Sequence, residues 1–450
     1  MSTFQINIPY SGEFNASSKP LQQETFSSDL IYLGNDIFVG YFQQHNQGIG
    51  YIVVYEFNDL SDDLDFTNES LAFTNRRQQL LHVGDCAGVK LVKIADNRVM
   101  AIVDATVYVL DFTGTDYVVS LTEQDFFVNG MRTRGNYFTT PTRGKNYMVA
   151  SVKDNEILIV DNEVPRADYD RINSGDFKLY RVVYDPVNGT LTPHLKKELT
   201  AALAASYLPD NGGNNGIVVP LFDGTIQRIQ GTNSVFINFS IDVRDSVTNT
   251  RNDQTILYSA RTDLEGNELE VYPAPTATRQ VSVPSAGNIV SWAWNAFALR
   301  EDLIVYHHNM SIAQVLYQGD LYDTLPNSNL PEVDSIGSGG PDMSFQPLDD
   351  LHYLASWGPA GTEYTAVFKV DSPMLINTRA SDQRGGLTIQ RYSETPKSVA
   401  RLRMDTLQKY DDNTFFLFTF YDFYNGNDPT LGSGLTNRPY PYYRIRRISL

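Results

Sequence analysis

The sequence predicts an all-β chain of about seven four-stranded antiparallel sheets, with almost no helix. Three observations carry this expectation. Short alternating or apolar runs recur along the 450 residues, separated by Gly, Asn, Asp and Pro clusters, which is the rhythm of strands and turns. Aromatic residues make up 12%, chiefly 27 Tyr and 24 Phe, and these types favour pleated, half-buried strands. Two local turn patterns also repeat in a fixed order.

The first pattern is a strand, a polar tight turn and a more apolar strand. It stands at residues 33–39, 94–100, 142–148, 229–235, 299–304, 348–353 and 409–415, which makes seven units. The second is an aromatic-aliphatic strand ending in Asp or Asn before a turn, at 55–58, 108–111, 183–189, 261–266 and 368–371. In most copies it follows the first pattern by one strand, so each unit has four antiparallel strands. The units run approximately over 25–80, 83–125, 137–200, 215–283, 285–336, 341–392 and 398–450 of a single domain, 1–450. Within the third unit, Asn188-Gly189 reads as a two-residue hairpin turn with φ positive at both positions. Residues 192–203 read equally as a fourth strand or as a helix capped by Thr192 with Pro193 in its first turn. Segments 161–176, 200–214, 241–254 and 322–340 read as loop insertions. At the ends, Phe4, Ile6 and Ile8 alternate with polar residues, and 442–450 is an unbroken strand pattern. The expectation is that an N-terminal strand at 4–8 closes the last unit as its outer strand.

Hydrophobic residues at 42% and charged residues at 20% describe a globular chain with a core. A net charge of −18 argues against a general nucleic-acid binder, which presents a basic face to phosphates. Cys86 is the single cysteine, so an internal disulfide and a cysteine-based zinc site are excluded; it reads as a small buried hydrophobe. The first residues lack the basic and apolar regions of an export signal, and no apolar run approaches the ~20 residues of a membrane helix. The chain is expected to be made in the cytoplasm without membrane insertion. The sequons at Asn15, Asn68, Asn188, Asn238 and Asn309 then carry no glycan.

Signatures of chemistry are sparse. There is no Trp-Asp strand ending, kelch double glycine, sialidase Asp-box or Gly-x-Ser-x-Gly elbow. Gly144-Lys145 lacks the upstream glycine of a phosphate loop. The acidic run 58–65 lacks the glycine and distal glutamate of a calcium loop, and reads as a solvated hairpin tip. His307 and His308 would point to opposite faces of a strand, which suits packing better than one metal. No cofactor, metal or catalytic residue is therefore expected.

Interaction candidates are two aromatic and two basic spots. Trp292 and Trp294 share a face and suit either a glycan platform or packing between sheets. Arg132 and Arg134 share a face, with Arg143 and Lys145 in the next turn; Arg444 and Arg446 share another, with Arg447 opposite. Such guanidinium groups suit carboxylate or phosphate partners, or pairing with the chain's own carboxylates.

The four-strand units resemble the β-propeller superfamily over essentially the whole chain, without a family-specific motif. Irregular unit spacing, few lysines, many Asn, Thr and Tyr and one cysteine also resemble virion propellers such as tail-hub or nozzle proteins of short-tailed phages. That resemblance implies a closed, non-enzymatic structural or binding propeller, a virion component whose loops and blade faces dock neighbouring subunits. An acidic channel through such a ring would let duplex DNA pass without holding it. Two other readings compete: a lactonase- or glycosidase-like hydrolase with a funnel site, and a carbohydrate-binding propeller using Trp292 and Trp294.

Overall fold

The computed structural model describes residues 13–14, 28–44, 49–57, 73–83, 89–103, 106–124, 126, 148–163, 176–199, 216–245, 251–272, 294–308, 312–317, 320–325, 344–357, 362–371, 387–396, 401–423 and 442–450. Among them the chain is all-β, with seven four-stranded antiparallel sheets.

The N-terminal strand β1 (Glu13–Phe14) belongs to the last sheet. The first sheet follows with β2 (Ser28–Gly34), β3 (Ile37–Gln44), β4 (Ile49–Phe57) and β5 (Phe73–Val83). The second has β6 (Val89–Ala95), β7 (Arg98–Val103), β8 (Thr106–Thr113) and β9 (Asp116–Glu123). The third has β10 (Met148–Lys153), β11 (Glu156–Glu163), β12 (Asp176–Asp185) and β13 (Thr190–Glu198), and the fourth β14 (Gly216–Arg228), β15 (Ser234–Asp245), β16 (Arg251–Asp263) and β17 (Glu270–Val271). The fifth has β18 (Trp294–Arg300), β19 (Leu303–His308), β20 (Ile312–Tyr317) and β21 (Asp320–Leu325). The sixth has β22 (Ser344–Pro347), β23 (His352–Trp357), β24 (Thr362–Val370) and β25 (Leu387–Pro396). In the seventh, β26 (Arg401–Lys409), β27 (Thr414–Phe423) and β28 (Tyr442–Ser449) are joined by β1, which pairs Glu13 with Arg444 and Phe14 with Tyr443. The strand expected at 4–8 lies outside the described residues; the N-terminal strand observed on the last sheet is at 13–14.

The core lies between the sheets. In β7, Val99, Ala101 and Val103 pack against Val39, Tyr41, Ile52 and Val54 of the first sheet. Met100 and Ile102 point the other way, against Val149, Ile157 and Ile159 of the third. A strand buried on both faces needs a continuous apolar run, which explains Val-Met-Ala-Ile-Val there. The outer strand β9 is mostly exposed. Apolar clusters likewise join the third sheet to the fourth, the fourth to the fifth, the fifth to the sixth and the sixth to the seventh. First strands adjoin in succession: β2 lies beside β6, β6 beside β10, β10 beside β14 and β14 beside β18, while β22 lies beside β26 and β26 beside β2. At this last boundary Phe38 meets Phe416 edge-on at 5.2 Å, and Tyr32 meets Tyr410 at 5.2 Å.

Several sequence readings are corrected. Residues 192–198, which read equally as strand or helix, are strand, paired with β12; Pro193 is tolerated because β13 is the sheet's outer strand, where a missing N–H costs no ladder bond. Residues 241–254 are largely not a loop: β15 and β16 extend through them, with Ile241 opposite Ile256 and Asp242 opposite Thr255. Of the segment 161–176, β11 keeps residues 161–163, and β21 takes 322–325 of the last insertion. The polar turn expected at 142–148 is instead at Asp154 and Asn155, between β10 and β11, with Asn155 at φ 62°; 142–147 lie outside the described residues. At 186–189 only Gly189 has positive φ. The turn starts earlier because Asp185 Oδ1 accepts the Val187 and Asn188 amides at 2.8 and 3.2 Å, and the Gly189 amide donates to Asp185 O at 2.8 Å. The first turn does take the two-residue form, with Asn35 and Asp36 at φ 51° and 62°.

Candidate functional site

Among the described residues, turns after first strands and after third strands bring charged side chains to the boundaries between sheets. Asx chemistry explains many of the acids: Asp349 Oδ1 accepts the Leu351 and His352 amides at 2.8 and 2.7 Å, Asp411 that of Asn413 at 2.8 Å, and Asp263 that of Asn267 at 2.7 Å. At Asp185 the Asn188 side chain, with the two turn amides, holds the carboxyl below its ordinary range. Burial pushes the Asp349 carboxyl up, but the Leu351 and His352 amides and the His352 ring outweigh it and draw it down.

Arginines clasp successive sheets. Between the second and third, Arg98 Nε donates to Asp111 Oδ1 at 2.5 Å and its Nη1 to Asn155 Oδ1 at 2.7 Å. The guanidinium carbon lies 5.2 Å from the centre of the Tyr184 ring. Between the third and fourth, Arg181 pairs with Glu156 at 2.7 Å and reaches Glu265, which Lys153 also contacts. The Lys153 bond, with help from the Arg181 charge and against some burial, holds the Glu265 carboxyl below the usual range. Between the fourth and fifth, Arg261 pairs with Glu270 at 2.5 Å and Glu301 at 3.2 Å. Tyr272 Oη donates to the Glu301 carbonyl at 2.9 Å, and burial pushes the Tyr272 hydroxyl up to about 12. Arg181 and Arg261 occupy one register position, each facing the third residue of its sheet's second strand, Leu158 and Phe236. Between the seventh and first sheets Tyr410 donates to Asp36, and between the fifth and sixth Phe297 stacks on Phe345 at 4.4 Å.

The boundary between the first and second sheets differs. Asp29 Oδ2 accepts the Leu91 amide at 2.7 Å and pairs with Lys90 at 3.2 Å, and His82 Nδ1 meets Tyr108 Oη at 2.9 Å. At the turns, however, there is a cleft of about 370 Å³ with Leu33, Ile37 and Phe112 as apolar wall and Asn35, Glu56, Asp96, Asn97 and Thr115 as polar lining. That volume lies within the range of small-ligand pockets.

None of the residues singled out from sequence is among the described residues that line this cleft. Arg132, Arg134, Arg143, Lys145, Trp292, Cys86 and the acidic run 58–65 lie outside the described residues. Arg444, Arg446 and Arg447 sit on β28 opposite Thr419, Leu417 and Phe416, and Trp294 begins β18 opposite His308. Asn238, in a sequon, is fully buried and accepts a hydrogen bond from Ser259 at 3.0 Å. Among the described residues no cluster of His, Cys, Asp and Glu could hold a metal, and no helix is long and apolar enough to cross a membrane. The clasp residues Arg98, Arg181 and Arg261 were not picked out from sequence; aligning the units on their turns would have found them, because they recur beside the turns.

No protein-family model matches the chain, and no curated protein is similar to it. Among solved structures it is similar to a protein of unknown function from Dyadobacter fermentans, at 9% identity and a TM-score of 0.41 over 99% of each chain.

Proposed function

We propose that the seven sheets form one closed β-propeller that serves as a non-enzymatic scaffold, docking neighbouring subunits of an assembly such as a virion through its loops and sheet faces. Closure is supported by apolar clusters that join each sheet to the next, by β26 lying beside β2, and by β1 joining the last sheet. The scaffold role rests on how the turn carboxylates are used. Asp185, Asp263, Asp349 and Asp411 cap turns, while Asp111, Glu156 and Glu270 hold arginines within a sheet and Glu265 and Glu301 hold them across sheet boundaries. Acids tied in this way rigidify a ring and are poorly placed to move protons. The net charge of −18 suits protein neighbours, or a duplex passing without being held, better than nucleic-acid binding.

The test is to sediment a native lysate of the source through a density gradient and locate the chain by mass spectrometry. Co-migration with large particles that survives a salt wash supports the assembly role. Recovery near monomer size in the soluble fractions refutes it.

A further inference from the structure

We propose that the outer edge of the second sheet, at its boundary with the third, receives an extended apolar segment with basic ends from a neighbouring protein, as a fifth strand. An outer strand exposes a row of unpaired backbone groups, and chains blunt that row with charge, proline or shortness. Six of the seven outer strands are guarded in this way. β1 and β17 have two residues each. β5 carries Arg76 and Arg77 in its interior, β13 has Pro193, Lys196 and Lys197, β21 has Asp323, and β25 has Arg391 and Glu394. β9 has no such guard. Residues 117–122, between its two end residues, include neither charge nor proline, and among the described residues no strand pairs with its far edge.

Apolar side chains exposed at the same boundary are a second, independent sign. Val118 lies opposite Asp111, whose partner Arg98 reaches across to Asn155, so Val118 faces the third sheet; it is 65% exposed. Leu195 on β13 lies opposite Tyr180, which packs into the cluster between these two sheets, and is 49% exposed. Val187 is 89% exposed, in the turn where Gly189 passes close to the Ser120 carbonyl. With Val119, these are four of the six exposed large apolar side chains among the described residues. Apolar exposure gathered on one stretch of rim marks an interaction surface.

Charge selects the partner. On the face of β9 turned to the third sheet stand Asp116, Val118, Leu121 and Glu123, opposite Thr113, Asp111, Val109 and Val107 of β8. A bulge at Ser120 keeps that face in register on both sides of it; the Ser120 hydroxyl donates to the Val109 carbonyl and accepts from Tyr184, both at 3.2 Å. The face therefore reads acid, apolar, apolar, acid, and both end residues are exposed. The cations of β13 turn the other way: Lys196 bonds Asn267 of the fourth sheet, and Lys197 lies opposite Leu179 in the cluster shared with that sheet. Opposite charges directly across a strand pair stabilise it and like charges weaken it. A strand laid on β9 with the reach of β8 from Thr113 to Val107 therefore carries lysine or arginine at both ends and apolar residues at the alternate positions between. A second copy is the wrong occupant, because β9 on β9 sets acid against acid and each chain carries a net charge of −18.

Fluorescence anisotropy of the labelled peptide Lys-Thr-Val-Thr-Val-Thr-Lys with the full chain tests the edge. Its controls are Glu-Thr-Val-Thr-Val-Thr-Glu, with the charges reversed, and Lys-Thr-Val-Pro-Val-Thr-Lys, which has the same charge but lacks a central N–H for the ladder. The first peptide is expected to bind about tenfold more tightly than either control. Val118→Lys and Glu123→Lys, both at exposed positions, should each weaken it about fivefold without moving the melting temperature. Equal binding of the two lysine peptides reduces the effect to attraction by an acidic chain and overturns the proposal. Absence of binding, or binding unchanged in both variants, overturns it as well. Self-association of the chain that Val118→Lys abolishes assigns the edge to a second copy instead, and is equally fatal. The identity of the partner as a neighbouring subunit rests on the assembly reading above, but the peptide assay uses the isolated chain, so peptide binding and particle sedimentation fail independently.

Discussion

Replacing Arg98 with alanine gives a direct measure of what one clasp contributes. Its side chain is 16% exposed and that of Asp111 is 26% exposed, so the pair sits beyond the regime in which surface ion pairs contribute almost nothing. A hydrogen bond involving a charged group contributes about 1.5–3 kcal/mol, and the guanidinium over Tyr184 adds roughly 0.5–1 kcal/mol. Arg98→Ala should therefore cost about 3 kcal/mol. For a chain of 450 residues melting as one unit, an unfolding entropy of ~2.1 cal/mol/K per residue converts that loss to a drop of about 3 °C. Scanning calorimetry on Arg98→Ala, Asn155→Ala and the double variant isolates the bond that crosses from the second sheet to the third, with a coupling of about 1–2 kcal/mol expected. Arg98→Lys should recover only part of the loss, because an ammonium cannot span Asp111 and Asn155 with a planar fork. A coupling within roughly 0.3 kcal/mol of zero would refute the view that the arginine clasps, rather than apolar burial alone, tie neighbouring sheets.

Two further outcomes follow from named positions. Gly114 and Gly266 both have positive φ, at 62° and 73°, so alanine at either carries about 1–2 kcal/mol of backbone cost. A Cβ on Gly114 meets nothing within 4 Å, whereas one on Gly266 lies 3.1 Å from Lys196 Cγ and 3.3 Å from Leu158 Cδ2; Gly266→Ala should melt lower, and equal melting temperatures would discount that contact. Burial lowers the His82 pKa from its ordinary 6.5. A depressed folded-state value means its contribution is complete above pH 6.5 and is lost as pH falls through the folded value. NMR titration of the His82 ring should show a midpoint below 6.5, and His82→Phe should flatten the acid side of the melting profile.

The sequence was most legible where turn chemistry is strict. Six of the seven polar turns read from it join the first and second strands of a sheet, because paired Asn and Asp residues, or an acid that caps its own turn, leave the chain few alternatives there. Strand length was harder to read. Residues 241–254 are rich in polar groups and read as a loop, yet they continue a ladder whose backbone bonds do not depend on side-chain polarity. Pro193 and the Lys196-Lys197 pair looked as much like a helix start as an outer strand, and only the pairing with β12 decides between them. The cleft was illegible for a different reason. Glu56, Asn97 and Phe112 belong to two sheets and come together only through the alignment of one turn with the next, so no local pattern marks them.

The boundaries also differ from one another in a way that bears on assembly of the fold. A chain of seven similar sheets risks docking the wrong pair, since each offers an apolar face of similar shape. Here the second sheet meets the third through Arg98 and Asn155, the third and fourth meet their successors through arginine and acid, the fifth meets the sixth through Phe297 stacked on Phe345, and the seventh meets the first through Tyr410, Tyr32 and Asp36. Docking the Arg181 edge on the Phe345 face would take its guanidinium away from Glu265, leaving a partly buried charge short of a partner. Docking the Phe297 face on the Asn155 turn would forfeit the stacking. Chemically distinct clasps therefore exclude wrong neighbours as well as holding right ones.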